Sequence, residues 1–479
     1  MKKKFFYFAI LLLTGLVIAF SCQKEEWTTA TDTLLDNEEV LNRGLHGRAQ
    51  VFTVEPTGID DTENLQAAFD EATATGKYCR VVLTEGEYFT GPIVVEDFKG
   101  TLEGAGMGAT IIQALPDQEL GDISYYVAPT ITNPWPVLIS FTDGDITIKD
   151  LRFQIDELDP LHWTYEAFGW ESTAFYAIVM ITGDNINSHI ERVAFKGQPV
   201  AEGFMGYNVG NNILISSIFD NPWKVSGNHK VQSCMFNDLA IPVAVACIGD
   251  ANVTIGGSAS KGNIAQNVYM GCEIDDVSNA NVDVSYNQFL NTSFAGLYSK
   301  QGYLYGWLSA YPPVVSNLMI KNNVFEIGEF AWGVELYDFS ARFAGEKRMD
   351  IHMINNEIAI QGQGIGIYAN GMMDAMINSN LLTGTAYYGS YFGYGSNGCG
   401  IVANGFEGLA TTVADVLLTG STYDNRVVCG RFDTNVLDYG TNNEVVCPGM
   451  DRSDGVAGMD IGKEMQERHQ INRLRLIPR

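Results

Sequence analysis

The hexapeptides IKNNVF (residues 320–325) and MINNEI (353–358) are two copies of one short frame that recurs along the chain. Each copy begins and ends with an apolar residue and carries mostly polar or small residues at its second and third places. The other copies are IKDLRF (148–153), IERVAF (190–195), VQSCMF (231–236), VSYNQF (284–289) and MINSNL (376–381). Their starts lie 23 to 53 residues apart, so the frame is constant while the intervening loops vary. A repeat of this kind predicts a solenoid whose stacked strands share one continuous core.

A second frame alternates with the first. Its copies are GCEIDD (271–276), GLYSKQ (296–301), GVELYD (333–338), GIGIYANG (364–371) and GCGIVANG (398–405). In both frames apolar and other residues alternate with period two, which is typical of short, half-buried strands. With 50 glycines to supply tight turns, the sequence predicts an all-β parallel β-helix built from these two frames.

Asparagine occupies the fourth place in three neighbouring copies of the first frame, at Asn287, Asn323 and Asn356. A turn between two strands of a coil needs a residue that tolerates a left-handed backbone, and asparagine does so better than most residues. Stacked one above another, the three amides are expected to hydrogen-bond along the axis as a ladder. We therefore interpret these asparagines as structural rather than catalytic.

The segment GIDDTENLQAAFDEA (58–72) predicts an amphipathic helix with Asp61 or Thr62 as its cap. Its apolar face holds Leu65, Ala68, Phe69 and Ala72. Together with the LxGxGxxxTII pattern at residues 102–112, this DDT…LQxAxxxA…G segment resembles the N-terminal cap and first coils of the pectate-lyase-like superfamily. The resemblance spans roughly residues 50–450. It implies a right-handed parallel β-helix whose first strand edge is capped by the helix.

The first 26 residues predict a targeting segment rather than a folded one. Three lysines (residues 2–4) precede an apolar run, which ends in Ala19-Phe20-Ser21-Cys22. This resembles a bacterial lipoprotein box in which Cys22 is lipidated, and Gln23-Lys24-Glu25-Glu26 resembles the export tag of surface lipoproteins in the Bacteroidetes group. The alternative is an ordinary cleaved signal with an incidental cysteine.

Four segments follow from these patterns. They are a lipoprotein signal peptide at 1–21, a lipidated acidic tether at 22–47, the β-helix domain at 48–449 and a C-terminal tail or cap at 450–479. The resemblance implies an outer-membrane protein that is anchored by lipid and faces the cell exterior.

The net charge and the cysteine content exclude several classes of binding partner and metal site. Removal of residues 1–21 takes away three lysines and no acid, which leaves 26 basic against 57 acidic residues and a net charge of −31. This excludes nucleic acid and anionic lipid surfaces as favoured partners. The seven cysteines beyond Cys22 contain no CxxC pair, so no zinc site is indicated. We expect Cys234, Cys247, Cys272 and Cys399 to be small buried hydrophobes. Cys429 and Cys447 could pair near the C-terminus, although the sequence does not decide the pairing.

In the resembled superfamily the active groove is a shallow trough on one sheet, and the second frame is our candidate for that sheet. Outward-facing places across neighbouring copies predict one column of Glu273, Tyr298, Glu335, Gly366 and Gly400. A second column holds Asp275, Lys300, Tyr337, Tyr368 and Val402. Coils are about 4.8 Å apart, which places the backbones of Glu273 and Glu335 about 9.6 Å apart. That separation is compatible with the paired acids of an inverting glycosidase.

Two other interpretations of these residues stay open. Asp275, Asp276 and Asp338 could supply oxygen ligands to calcium, while Lys300 abstracts a proton beside a uronate carboxyl group. Alternatively the charges are ordinary surface residues, and Asp275–Lys300 is a cross-strand pair. Of the motifs of polygalacturonase-like enzymes, the candidate sheet offers only the pair Asp275-Asp276; those of pectate lyases are absent.

Aromatic residues suggest a surface for sugar rings. Gly366 and Gly400 are expected to leave a bare patch beside Tyr337 and Tyr368. Long insertions at 162–176, 303–313 and 386–395 add the candidate binding residues Trp163, Trp170, Trp307 and Tyr391. The alternative is that these rings bury one another.

These observations predict a monomeric surface lipoprotein that binds a neutral or weakly acidic polysaccharide along the β-helix, either with or without cleaving it. The alternative function is a non-catalytic adhesin or scaffold whose aromatic loops bind a protein or a neighbouring cell. No cofactor other than calcium is suggested.

Overall fold

A computed structural model describes residues 49–115, 137–155, 164–165, 170–171, 175–199, 207, 209–216, 225–302, 314–338, 347–406, 408–430 and 434–447. From Gln50 onward these residues belong to one compact unit. The predicted signal peptide with Cys22, the tether and the C-terminal tail lie outside the described residues. Within the described part of the chain, no helix is long and apolar enough to cross a membrane.

The strands wind into coils with three parallel faces, here named sheets A, B and C. Sheet A holds Ile93–Glu96, Val137–Thr142, Phe175–Thr182, Val209–Ser216, Ile241–Ala246, Trp332–Asp338, Ile365–Asn370 and Val436–Asp438. Sheet B holds Gln50–Val54, Cys79–Leu83, Lys99–Glu103, Gly227–Gln232, Ala251–Gly256, Asn281–Ser285, Ser316–Lys321, Met349–Ile354, Met376–Asn378, Gly400–Val402, Arg426–Val428 and Glu444–Val446. Sheet C holds Gly86–Thr90, Thr110–Ala114, Met235–Leu239, Val324–Ile327 and Glu357–Ile360.

Six long strands bend from one face to the next. Asp145–Gln154 and Asn187–Lys196 run from sheet B into sheet C. Those that run from sheet C into sheet A are Ile264–Asp275, Gln288–Gln301, Leu381–Gly393 and Leu409–Leu418. One short antiparallel pair, Thr164–Tyr165 with Trp170–Glu171, stands apart. The predicted fold class is confirmed: the protein is an all-β, right-handed parallel β-helix.

In six of the seven copies both apolar ends of the first frame point into the core. The copy at 376–381 is shifted by one residue, so that Ile377 and Leu382 take the core positions and Leu381 is exposed. The final phenylalanine stacks from coil to coil: the Phe153 and Phe195 ring centroids are 5.2 Å apart, and those of Phe195 and Phe236 are 5.1 Å apart. Phe289 and Phe325 repeat the contact at 5.3 Å. The last residue of the recurring frame therefore corresponds to a position where core side chains stack from coil to coil.

The predicted asparagine ladder is present and longer than expected. Six buried amides are joined by five Nδ2–H···Oδ1 hydrogen bonds of 2.8–3.1 Å, in the order Asn263, Asn287, Asn323, Asn356, Asn380 and Asn404. The expected left-handed backbone at the ladder residue was wrong, because the preceding residue adopts it: φ is 60° at Tyr286 and 55° at both Asn322 and Asn355. The preceding residue turns the chain, and the ladder asparagine can therefore hydrogen-bond both a backbone carbonyl and the asparagine of the next coil.

The N-terminal helix, α1 (Thr62–Ala74), is present as predicted and buries Leu65, Phe69 and Ala72. The Phe69 ring meets Phe98 and Phe141 edge-on, with centroids 5.2 and 5.8 Å away. Asp61 stands at the N-cap position, but its carboxylate accepts hydrogen bonds from the backbone N–H groups of Thr57 and Phe89 instead of capping α1. It thereby ties the helix entry to the first coils.

The cysteines behave as predicted. Cys429 and Cys447 form a disulfide. Cys234, Cys247, Cys272 and Cys399 are buried free thiols, and Cys79 is a fifth.

One histidine, His229, lies inside the core of the β-helix. It is fully buried, and its Nδ1 lies 2.9 Å from Ser188 Oγ. Burial lowers the pKa of His229 to about 4, although a hydrogen bond to the Ser226 backbone opposes the shift. Between that pKa and the unfolded value near 6.5 the unfolded chain binds more protons, so stability falls as the pH drops through this window.

We predict that His229→Val, which copies the aligned Val253 of the next coil, removes part of this pH dependence. Between pH 7 and pH 4.5 the effect should be about 2.5 kcal/mol, which is most of the free-energy equivalent of the pKa difference. Urea unfolding of both proteins at pH 4.5 and pH 7 measures it. An equal loss of stability on acidification in both proteins would rule out His229 as its source.

Candidate functional site

The outer face of sheet A carries two columns of side chains in register. The first is Glu273, Tyr298, Glu335, Tyr368 and Tyr391. The second is Asp275, Lys300, Tyr337, Asn370 and Gly393. Residues between them, such as Ile274 and Leu336, point into the core. Strand alternation therefore places acids, a lysine and four tyrosines together on one face.

The predicted columns were right as far as Glu335 and Tyr337 and wrong beyond them. Tyr368 pairs with Glu335 and so belongs to the first column. Gly366 lies against core side chains, since a Cβ there would sit 2.3 Å from Leu382 Cδ2. Gly400 and Val402 lie on sheet B, paired with Met376 and Asn378. The predicted bare patch beside the tyrosines is therefore absent at those two glycines.

Glu273 and Glu335 share the outer face, two coils apart, with Tyr298 between them. Their backbones are thus separated by about 9.6 Å. Glu335 is 5% exposed, while Glu273 is half-buried. A carboxyl group this deeply buried is unusual for a strand surface and marks a candidate site.

Lys300 forms an ion pair across the coils. Its Nζ lies 3.1 Å from Asp275 Oδ2 and 5.0 Å from the centroid of the Tyr298 ring. Burial alone would lower the pKa of Lys300, but the charges of Asp275, Tyr298 and Glu273 outweigh it and raise the pKa above its usual value. A lysine held protonated is unsuited to abstract a proton, so the general-base interpretation of Lys300 does not fit this geometry.

The three aspartates predicted as calcium ligands each contact other parts of the protein. Asp275 pairs with Lys300, Asp276 accepts a hydrogen bond from the Gly302 N–H, and Asp338 accepts one from the Arg348 N–H at 2.9 Å. Across the described ranges, no three acidic, histidine or cysteine side chains are grouped so that they could hold a metal ion. The predicted ligand set is therefore not assembled.

The predicted sugar-binding tyrosines are buried rather than exposed. Tyr298 and Tyr337 are 8% and 6% exposed, and Tyr368 and Tyr391 are each 1% exposed. Their rings contact one another along the axis: the Tyr368 centroid lies 4.9 Å from that of Tyr391 and 6.1 Å from that of Tyr337. The outer face of sheet A is thus an apolar layer of its own, separate from the core.

Two residues of this face were missed by sequence reasoning. Trp332 packs on Tyr368 with centroids 5.7 Å apart, and it directly precedes the copy GVELYD, which could have drawn attention to it. Asn370 is the seventh residue of the copy GIGIYANG and aligns with Tyr337. Of the predicted tryptophans, Trp163 and Trp307 lie outside the described residues. Only the backbone of Trp170, in a two-residue strand, is described.

No protein-family model and no curated protein matches this chain. Solved structures match over most of its length. The A-module of the Azotobacter vinelandii mannuronan C-5 epimerase AlgE6 is 14% identical, with 82% of this chain and 96% of that chain covered and a TM-score of 0.36. A hyperthermoactive exopolygalacturonase from Thermotoga maritima is 14% identical, with 86% and 95% covered and a TM-score of 0.39.

The Streptococcus pneumoniae surface protein and adhesin PfbA is 12% identical, with 83% of this chain and 97% of that chain covered and a TM-score of 0.41. At these sequence identities the similarity concerns the fold alone, since one fold can carry many different chemistries.

Proposed function

We propose that the outer face of sheet A binds a polysaccharide and hydrolyses it with Glu273 and Glu335 as its paired acids. One observation carries the proposal: the two glutamates stand in one column, two coils apart, on a face lined by tyrosines and a tryptophan. Backbones about 9.6 Å apart allow the two flexible side chains to bring their carboxyl groups to the roughly 6.5–9.5 Å that suits inversion, in which a water molecule occupies the space between one acid and the sugar. Aromatic rings supply flat surfaces on which sugar rings stack.

The two glutamates have different surroundings and are assigned different roles. Glu335 is the more buried, and a low-dielectric environment favours the neutral carboxyl group, so Glu335 is the general acid that protonates the leaving oxygen. Glu273 lies within the field of the Lys300 ammonium, which favours a carboxylate, so Glu273 is the base that activates water.

The proposed location rests on the sequence pattern at residues 1–26. We place the mature protein on the outer membrane, lipidated at Cys22 and facing the exterior. Cys22→Ala should release the protein from the membrane fraction and abolish incorporation of a labelled fatty acid. Retention of the label in that variant would contradict lipidation at Cys22.

A polysaccharide panel tests the function through two measurements, binding and new chain ends. Hydrolysis gives reducing ends, whereas elimination gives unsaturated products as well. Reducing ends without unsaturated products support the paired acids. Unsaturated products would contradict them. Absence of both binding and cleavage across plant and algal glycans would leave the non-catalytic adhesin.

We predict that Glu335→Gln lowers the cleavage rate at least 100-fold, the usual range for loss of a general acid, while binding persists. The amide keeps the size of the side chain but carries no acidic proton. Glu326→Gln, at an exposed position on sheet C, is the matched control and should leave the rate unchanged. Unchanged turnover in Glu335→Gln would remove this residue from the mechanism.

A further inference from the structure

Tyr368 and Asn370 place unsatisfied polar atoms at the centre of the outer face of sheet A. Both side chains extend outward from the strand Ile365–Asn370 and are 1% and 0% exposed. Within the described part of the chain, Tyr368 Oη and both polar atoms of the Asn370 amide form no hydrogen bond of normal length, although the phenol and the amide are near enough to interact with each other. Because neither amide atom is bonded, the result does not depend on which atom is assigned as oxygen.

Such an arrangement costs stability, since a buried polar group without a partner loses its bonds to water and gains none. Another buried tyrosine of the same fold does have a hydrogen-bond partner. The Tyr88 hydroxyl donates to the Val54 carbonyl oxygen at 2.7 Å. Groups that cost stability and sit beside a candidate catalytic acid are typical of binding sites. Tyr368 is the residue aligned with Glu335.

The polar atoms are uncharged, and the charges around them are mainly negative. Burial, followed by the charges of Tyr337, Tyr391 and Glu335, raises the pKa of Tyr368 well above its usual value, and a weaker interaction with the Asn370 side chain opposes the shift, so the hydroxyl stays protonated. Lys300, the cation in these columns, is already paired with Asp275. An anionic sugar would therefore meet carboxylates and find no uncompensated positive charge among the residues of the two columns.

We infer that Tyr368 and Asn370 form a subsite that binds the uncharged hydroxyl groups of a neutral polysaccharide next to Glu335. The inference rests on the proposed function and adds its substrate class. The phenol can donate and accept one hydrogen bond each, and the amide can donate two and accept two. This set matches neighbouring sugar hydroxyls, which both donate and accept. A carboxylate, which only accepts, would leave the acceptor groups unbonded.

The first test needs no ligand. Tyr368→Phe in the full chain should keep or raise the Tm, by about 1–2 °C, because it removes a hydroxyl that has no partner. Asn370→Leu, similar in shape, should behave the same way. Tyr88→Phe is the matched control and should lower the Tm, because it removes a made hydrogen bond. If Tyr368→Phe lowers the Tm as much as Tyr88→Phe does, the hydroxyl is already satisfied and the inference is overturned.

The second test uses pairs of oligosaccharides that share a linkage and differ at C6, such as β-1,4-mannan against β-1,4-mannuronan fragments, added to the polysaccharide panel. The neutral member should bind at least about tenfold tighter, and Tyr368→Phe and Asn370→Leu should each weaken its binding by a similar factor. Tighter binding of uronates, or unaffected binding in both variants, overturns the subsite but leaves the proposed function intact. If nothing binds, the proposed function itself fails.

Discussion

Asn323→Ala should lower the free energy of unfolding by about 4 kcal/mol, because it removes four hydrogen bonds from a buried position. The Asn323 amide donates to the Val284 carbonyl at 2.8 Å and to Asn356 Oδ1 at 3.0 Å. Its Oδ1 accepts from the backbone N–H and the Nδ2 of Asn287, at 2.9 and 3.1 Å. Alanine would leave these partners buried and unbonded, where water cannot reach them.

A second asparagine ladder supplies the matched control. On the outer face of sheet B, Asn281 donates to Asn252 Oδ1 at 3.0 Å and accepts from Asn317 Nδ2 at 2.7 Å, and all three side chains are exposed. Asn281→Ala should cost less than about 1 kcal/mol, since water replaces the lost bonds. Urea unfolding of both variants measures the difference. Equal costs would show that the buried ladder contributes no more than a surface one.

The ladder also shows what the sequence can and cannot reveal. The recurrence of asparagine at one place predicted that amides stack, because only a side chain with both a donor and an acceptor can repeat indefinitely along an axis. Which neighbour turns the backbone was not visible, since Tyr286 at φ 60° carries no propensity signal for that conformation. The tertiary fold imposes it there.

The sequence predicted the two columns of the candidate site as far as Glu335 and Tyr337. Beyond them, the alignment of the next copy of the second frame with its neighbour was ambiguous. Glycine opens each copy of the second frame, but GIGIYANG offers two glycines, Gly364 and Gly366, and the sequence favours neither. Packing decides, because Gly366 is the one whose carbonyl lies against Gly333 in the previous coil. That choice moves Tyr368 next to Glu335 and brings Asn370 next to Tyr337.

The burial of the tyrosines on this face could not be predicted from the sequence, for a different reason. Period-two alternation shows that Tyr368 points away from the core, but whether distant parts of the chain then cover it depends on contacts that no local pattern encodes. The sequence therefore identified Tyr298, Tyr337, Tyr368 and Tyr391 as a group and gave the wrong environment for them. This environment, rather than the residue types alone, carries the inferred hydroxyl subsite.

Gly333→Ala should cost more than about 4 kcal/mol or prevent folding. A Cβ at Gly333 would lie 2.4 Å from the Gly366 carbonyl oxygen and 2.5 Å from Ile358 Cγ2. Neither neighbour can move away alone, because the carbonyl belongs to the backbone of the next coil and the isoleucine to the core. The same close approach recurs at Gly271, Gly296, Gly366 and Gly389, each against the carbonyl oxygen of the following coil.

Gly108→Ala is the control, because nothing lies within 4 Å of a Cβ at that position. Thermal unfolding compares the two variants, and equal Tm values would contradict the packing argument.

The column formed by these closely packed glycines also positions the candidate site. Close contact there draws sheets C and A together at their shared corner, and Glu335 follows two residues later on the same strand. If Gly333→Ala does fold, its coils must separate at that corner, so cleavage should fall further than the loss of folded protein explains.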